Sequence, residues 1–127
     1  MMVVVDSSGW LEYFAKGVNG ARFAPAIQNI EELLVPTICL FEVFKRVIQQ
    51  RGEEDALQAV GIMMTGIVID ITHEVALLAV QLSIAHRLPM ADSLILAVAR
   101  LHKAQLWTQD GHFNGLDQVT FIEKPKI

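Results

Sequence analysis

Three features of the sequence predict an α/β fold, a three-layer α/β/α sandwich around a mostly parallel sheet. Short apolar runs rich in β-branched residues recur at positions 2–5, 33–35, 67–71, 106–108 and 119–122. Longer segments with helically spaced apolar residues separate most of them. Runs of the first kind read as strands buried on both faces, and helical crossovers between such strands make them pair in parallel. The third feature is composition. A chain of 127 residues, 53% hydrophobic and 19% charged, supplies one core, and no linker is long enough to divide it. Residues 1–127 are therefore expected to form a single domain.

The elements follow in order. The first strand, 2–5, closes on Asp6-Ser7-Ser8-Gly9, where Ser7 or Ser8 can cap a short helix carrying Trp10, Leu11 and Phe14. A weaker helix is expected over 22–32, with Pro25 in its first turn. Strand 33–35 stops at Pro36, and Thr37 can cap a helix running to Gly52. In that helix Glu42, Lys45, Arg46 and Gln49 share a face, with the aromatic residues placed elsewhere. Helix 53–64 precedes strand 67–71. Thr72 caps a helix to His86, and Arg87-Leu88-Pro89 connects it to a helix over 90–103. Strand 106–108, the polar turn 109–112 and strand 119–122 complete the chain, and the tail 123–127 reads as dispensable.

Ten basic and 14 acidic residues give a net charge of -4, so global steering of a polyanion is not expected. The single cysteine, Cys39, excludes an internal disulfide and a thiolate metal cluster. In its apolar run it reads as a buried, inert thiol. Asp6 interrupts the apolar start too early for a secretion signal, and no apolar run is long enough to span a membrane. A reducing cytoplasm is the expected compartment. The surplus apolar surface points to self-association.

Functional groups of parallel sheets gather at the carboxyl ends of the strands. Asp6 ends the first strand and Asp110 lies just past the fourth. Glu42 and Asp92 fall near helix amino ends, where the backbone dipole favours anions. Each has an ordinary reading on its own. Glu42 can pair with Arg46, Asp92 can cap its helix, and Asp110-Gly111 is a turn signal. Asp92 is the exception on its helix, because the positions three, four and seven further on are Ile95, Leu96 and Ala99. A carboxylate on an apolar stripe needs a partner. Four clustered carboxylates repel one another, and a divalent cation relieves that conflict. All-oxygen ligands suit magnesium or manganese. The set thus points to metal-dependent phosphoryl transfer or hydrolysis.

In these residues the sequence resembles the PIN-domain family, and within it the VapC toxins of toxin–antitoxin pairs. The resemblance rests on Val3-Val4-Val5-Asp6-Ser7-Ser8, on Glu42 after Val35-Pro36-Thr37, on Leu88-Pro89-Met90-Ala91-Asp92 with Ala97, and on Leu106-Trp107-Thr108-Gln109-Asp110 with Phe113. It implies a PIN-like fold and an endoribonuclease that uses Mg2+ or Mn2+. It further implies a homodimer held inactive by a cognate antitoxin protein. Asp6, Glu42, Asp92 and Asp110 match the family's acidic, metal-holding site. Ser7, Ser8 and Thr108 match its hydroxyl positions, which steady ligating carboxylates or waters. Many relatives carry a further acidic residue two or three positions past the one matched by Asp110, where this chain has His112 and Phe113. His112 is thus open to two readings, a turn residue or a group beside the metal or scissile phosphate. Lys45, Arg46 and Arg87 are candidates for RNA phosphates, against the alternative of a solvated surface.

Other chemistries fit less well. A receiver-like phosphoacceptor wants an acidic pair after the first strand and a lysine after a late one. A haloacid-dehalogenase-like phosphatase wants an aspartate where Ser8 stands, and the glycine spacing of a phosphate loop is missing. The reading from a different class is a catalytically silent PIN-like domain that binds RNA or a protein partner. Metal-dependent turnover separates it from the nuclease.

Overall fold

The computed structural model describes residues 1–125. The chain runs β1 (Val3–Val5), α1 (Ser7–Phe14), α2 (Gly20–Gln28), β2 (Leu33–Pro36), α3 (Thr37–Arg51) and α4 (Glu53–Met63). It continues with β3 (Ile67–Ile69), α5 (His73–His86), α6 (Met90–Leu101), β4 (Gln105–Thr108), a 3₁₀ turn (Gly111–Phe113) and β5 (Val119–Phe121). One five-stranded sheet has the order β3-β2-β1-β4-β5, and every pairing is parallel. The predicted α/β sandwich is therefore present. Its sheet is parallel throughout because each strand is reached by a crossover rather than a hairpin.

Burial follows strand position. Val4, Val5, Leu33, Leu34, Val35 and Leu106 are core residues, whereas the edge strands β3 and β5 keep partial exposure. Helices α1, α2 and α6 pack on β1, while α3 pairs with α4 and α5 with α6. Trp10 is fully buried and stacks on Phe14 with ring centroids 5.7 Å apart, which places it in the core. Cys39 is also buried, and burial pushes its thiol pKa far up, so it is inert as expected.

The order of the sheet places the functional crevice. From β1 the chain moves to β2 on one side, and β4 later returns to the other side of β1. That reversal makes the carboxyl ends of β1 and β4 a switch point, where open parallel sheets receive ligands. Gly9 lets α1 close onto the sheet there. A Cβ at this position would lie 2.7 Å from both the Phe23 ring and Val5 Cγ1.

Several local expectations are corrected. Asp6, not Ser7 or Ser8, caps α1, because its carboxylate accepts from the Gly9 N–H and Ser7 is already helical. Thr37 does not cap α3. Pro36 does so without a side-chain bond, since β2 turns directly into the helix. The weak helix begins at Gly20 rather than 22 and ends at Gln28 rather than 32. The Asn19 carbonyl starts it, accepting from Arg22 and Phe23, so Pro25 falls in the second turn. Phe41 does not turn away from the polar face of α3. It is 61% exposed, and the Lys45 ammonium lies 5.8 Å from its ring centroid, as residues four apart on a helix allow. Thr72 caps α5 as expected, accepting from Val75 N–H. Within the tail expected to be dispensable, Glu123 is tied to the body, its carbonyl accepting from Asn19. Residues 126 and 127 lie outside the described residues.

Among the described residues, no single helix is long and apolar enough to cross a membrane. Helices α5 and α6 pass that test only together, and they are bent by 115° at their junction.

Candidate active site

Asp6 leaves β1 at the centre of the switch point, almost fully buried. Its Oδ2 accepts from the Thr108 hydroxyl at 2.6 Å. Its Oδ1 accepts from Gly9 N–H at 2.9 Å and from the Ser8 hydroxyl at 2.7 Å. Burial nevertheless wins over these donors and pushes the Asp6 carboxyl up to about 6. The Asp110 charge adds to the rise. Thr108 works in two directions, because its Oγ1 also accepts from the Asp110 N–H at 2.9 Å. One hydroxyl thus registers the end of β4 against the end of β1.

Asp92 sits in the first turn of α6, and Pro89, not Asp92, is the cap of that helix. Its Oδ2 lies 3.0 Å from His112 Nδ1, and the same nitrogen is 3.3 Å from Asp110 Oδ1. Half-burial raises the Asp92 pKa, and the neighbouring Asp110 and Glu42 charges add to it. The hydrogen bond to Asp92 raises His112 in turn. Asp110 also performs the turn role, its Oδ1 accepting from His112 N–H at 2.9 Å. Glu42 is held by the Ser7 hydroxyl at 2.6 Å. It makes no ion pair with Arg46; among the described residues the ion pairs are Met1–Glu32 and the two His112 contacts.

Ligand atoms of Asp92, Asp110 and His112 lie within 4.8 Å of one another. Donors this close together could hold one ion. Asp92, raised by burial and by the neighbouring Asp110 and Glu42 charges, is the donor chemistry that a hard divalent cation relieves. The residues present therefore fit a metal.

A model of the PIN domain matches residues 3–119. The chain belongs to the PIN-domain family. Solved structures with the same architecture include a toxin–antitoxin complex from Klebsiella pneumoniae, with 22% identity and TM-score 0.81, covering 96% of this chain and 99% of that chain. VapC20 from Mycobacterium tuberculosis, a sarcin-ricin loop cleaving toxin, matches with 19% identity and TM-score 0.75, covering 98% and 99%. VapBC2 from Rickettsia felis, bound to a DNA fragment from its promoter, matches with 15% identity and TM-score 0.74, covering 97% and 98%. At these identities the likeness is one of fold. No curated protein matches the sequence significantly.

For a PIN domain, the structure gathers the four acids singled out in the sequence at one crevice, where Thr108 joins Asp6 to Asp110, Ser8 holds Asp6 and Ser7 holds Glu42. It also puts the His112 ring between Asp92 and Asp110. The PIN crevice does not visibly recruit the candidate phosphate contacts. Lys45 and Arg46 project from α3, and Arg87 is exposed at the end of α5, with no side-chain bond from any of them to the acids among the described residues. Sequence reasoning missed Asn19 and Gln109. Both are buried, and they bond to each other at 3.0 Å across 90 positions of chain. No local signal announces that contact.

Proposed function

We propose that this PIN domain is a metal-dependent endoribonuclease of the VapC type, the toxin half of a toxin–antitoxin pair. The observation that carries the reading is the convergence of Asp6, Glu42, Asp92 and Asp110 at the switch point, with three ligand atoms in reach of one ion. The likeness in fold to toxin–antitoxin structures supports an antitoxin protein as partner. Exposed Leu77, Val80 and Ile84 on α5 offer apolar surface for pairing of two copies, and a cytoplasmic setting belongs to the same reading.

Asp92 and Asp110 would hold Mg2+ or Mn2+, with His112, Asp6 and Glu42 beside them. Such an ion, when bound, neutralises a phosphodiester and lowers the pKa of an attacking water. The chain's own residues prepare for this. Thr108 and Ser8 fix the Asp6 carboxylate, Ser7 fixes Glu42, and His112 bridges Asp92 and Asp110. In this reading water attacks the phosphorus and the 3′ oxygen leaves, so cleavage is expected to give a 5′-phosphate and to need no 2′-hydroxyl.

The test is cleavage of structured and single-stranded RNAs by the purified, partner-free protein with Mn2+ or Mg2+, with excess chelator, and with Asp6→Asn prepared identically. Cleavage that requires metal and vanishes in the folded variant is the expected outcome. Equal cleavage by the variant means contamination or a wrong site, and none by the wild type across a broad RNA panel removes the nuclease reading and leaves a silent binding domain.

A further inference from the structure

A cavity of about 500 Å3 opens beside Asp110, between Ser8 on the acidic side and Phe121, Glu123 and Lys124 on the other, with Gln109 in its wall. The proposed chemistry gives this cavity no role. Gln109 is only 8% exposed, and the orientation of its amide is fixed by its neighbours. Asn19 Nδ2 donates to Gln109 Oε1 at 3.0 Å and to the Glu123 carbonyl at 3.3 Å. Turning Asn19 round would set its oxygen against the Glu123 oxygen. Gln109 must therefore offer its own oxygen to Asn19, which leaves its Nε2 with two N–H groups and no acceptor among the described residues. Those N–H groups are not sealed from solvent, so they open on the cavity, where water or a bound group can accept from them.

The surroundings indicate which ligand group suits the cavity. Asp110 and Glu123 disfavour a phosphate inside it. Half-buried Phe121 offers an apolar ring, the contact that nucleobases make in single-strand sites. Lys124 is exposed and makes no ion pair among the described residues, so it can meet the sugar-phosphate outside. We propose that this cavity is a nucleobase pocket for the nucleotide next to the cleaved bond, with Gln109 Nε2 donating to an acceptor on the base. The proposal rests on the nuclease reading and adds a site that selects substrate beside the acids.

The probe is each of the four nucleoside 5′-monophosphates, titrated by NMR into 15N-labelled protein in chelator, so that no turnover is involved. The Gln109 side-chain amide signals, with those of Gly111 and Lys124, are expected to shift. Gln109→Glu keeps the acceptor for Asn19 but puts oxygen where the N–H2 stood, and Gln109→Met removes the donor without adding charge. Both are expected to weaken binding at least tenfold. With a short oligoribonucleotide, both should raise KM more than they lower kcat. Monophosphates that leave Gln109 unmoved at millimolar concentration overturn the proposal, as does wild-type binding by both variants. Should a variant not fold, the wild-type titration alone decides. Binding at Gln109 without RNA cleavage would sink the nuclease reading and spare the pocket. Cleavage with Gln109 silent would do the reverse.

Discussion

Two groups of acids meet in this crevice under opposite conditions. Asp6 is buried and saturated with donors, receiving from Thr108, Ser8 and Gly9. Asp92 and Asp110 stand nearer solvent, and one exposed imidazole bridges them. Asp6 is thus a fixed charge whose position was settled by folding. Asp92 and Asp110 are adjustable charges, and under the proposed reading they would take up an ion together with that imidazole. The contrast assigns Asp6 the cost of preorganisation and the other two the work of capture.

Substitution should separate these roles most strongly in one pair of variants. Asp6→Asn and Asp92→Asn are both expected to lower metal-dependent RNA cleavage by about 100-fold or more, but to move stability differently. Burial gives Asp6 a folded pKa of about 6 against an ordinary 3.8. Between these values the folded chain keeps a proton that the unfolded chain has lost. Stability therefore falls as pH rises from roughly 4 to 6, and the loss persists above that, amounting to about 3 kcal/mol. Asp6→Asn in chelator should melt higher than wild type at pH 8 and converge with it near pH 4. Asn offers one oxygen to three donors, so the gain will be below that ceiling. Asp92→Asn should gain less and should abolish the rise in Tm that Mn2+ gives the wild type. A lower Tm for Asp6→Asn at pH 8 would break the comparison.

Thr108→Val tests the hydroxyl that joins the two groups. It takes a donor from Asp6 and an acceptor from the Asp110 N–H at once. Cleavage should fall by about 10–100-fold, as for other groups that orient ligands, with about 1–3 kcal/mol of stability lost. Binding of Mn2+ should weaken less than in Asp92→Asn. His112→Ala, acting on the adjustable side alone, should weaken Mn2+ binding by about 10-fold and leave the neutral-pH Tm of the chelated protein within a few degrees. Tighter Mn2+ binding in that variant would mean the imidazole competes with the ion.

What the sequence made legible, and what it hid, divides along the same line. The strands were readable because Val3-Val4-Val5 and Leu33-Leu34-Val35 are buried on both faces and carry no alternation to misread. Asp92 stood out because a charge on an apolar stripe conflicts with its neighbours, whereas Asp6 and Asp110 are ordinary turn residues singly and drew notice only as part of a joint pattern. Helix starts were misread by a residue or two. Asp6, Ser7 and Ser8 are all capping types in sequence, and only the bond from Gly9 N–H to the Asp6 carboxylate fixes which of them caps α1. Gln109 and Asn19 were hidden because each is an ordinary turn residue until the chain brings them together. His112 stayed ambiguous because spacing fixes the turn but not the direction of the ring.

The smallest effect concerns how Asp92 is aimed. Arg87 ends α5 with φ 55° and ψ 45°, a left-handed conformation that costs a residue with a Cβ roughly 1–2 kcal/mol. This bend, with Pro89 after it, sets the entry of α6 and so the position of Asp92 in its first turn. Glycine adopts that conformation freely but also loosens the unfolded chain. Arg87→Gly should therefore stabilise by about 1 kcal/mol or less, visible as a Tm higher by a few degrees. If Arg87 also meets an RNA phosphate, KM should rise a few-fold and depend less on salt. A fall in Tm would show that the Arg87 side chain, not the backbone bend, holds the junction, and the aim of Asp92 would then rest on Leu88 and Pro89 alone.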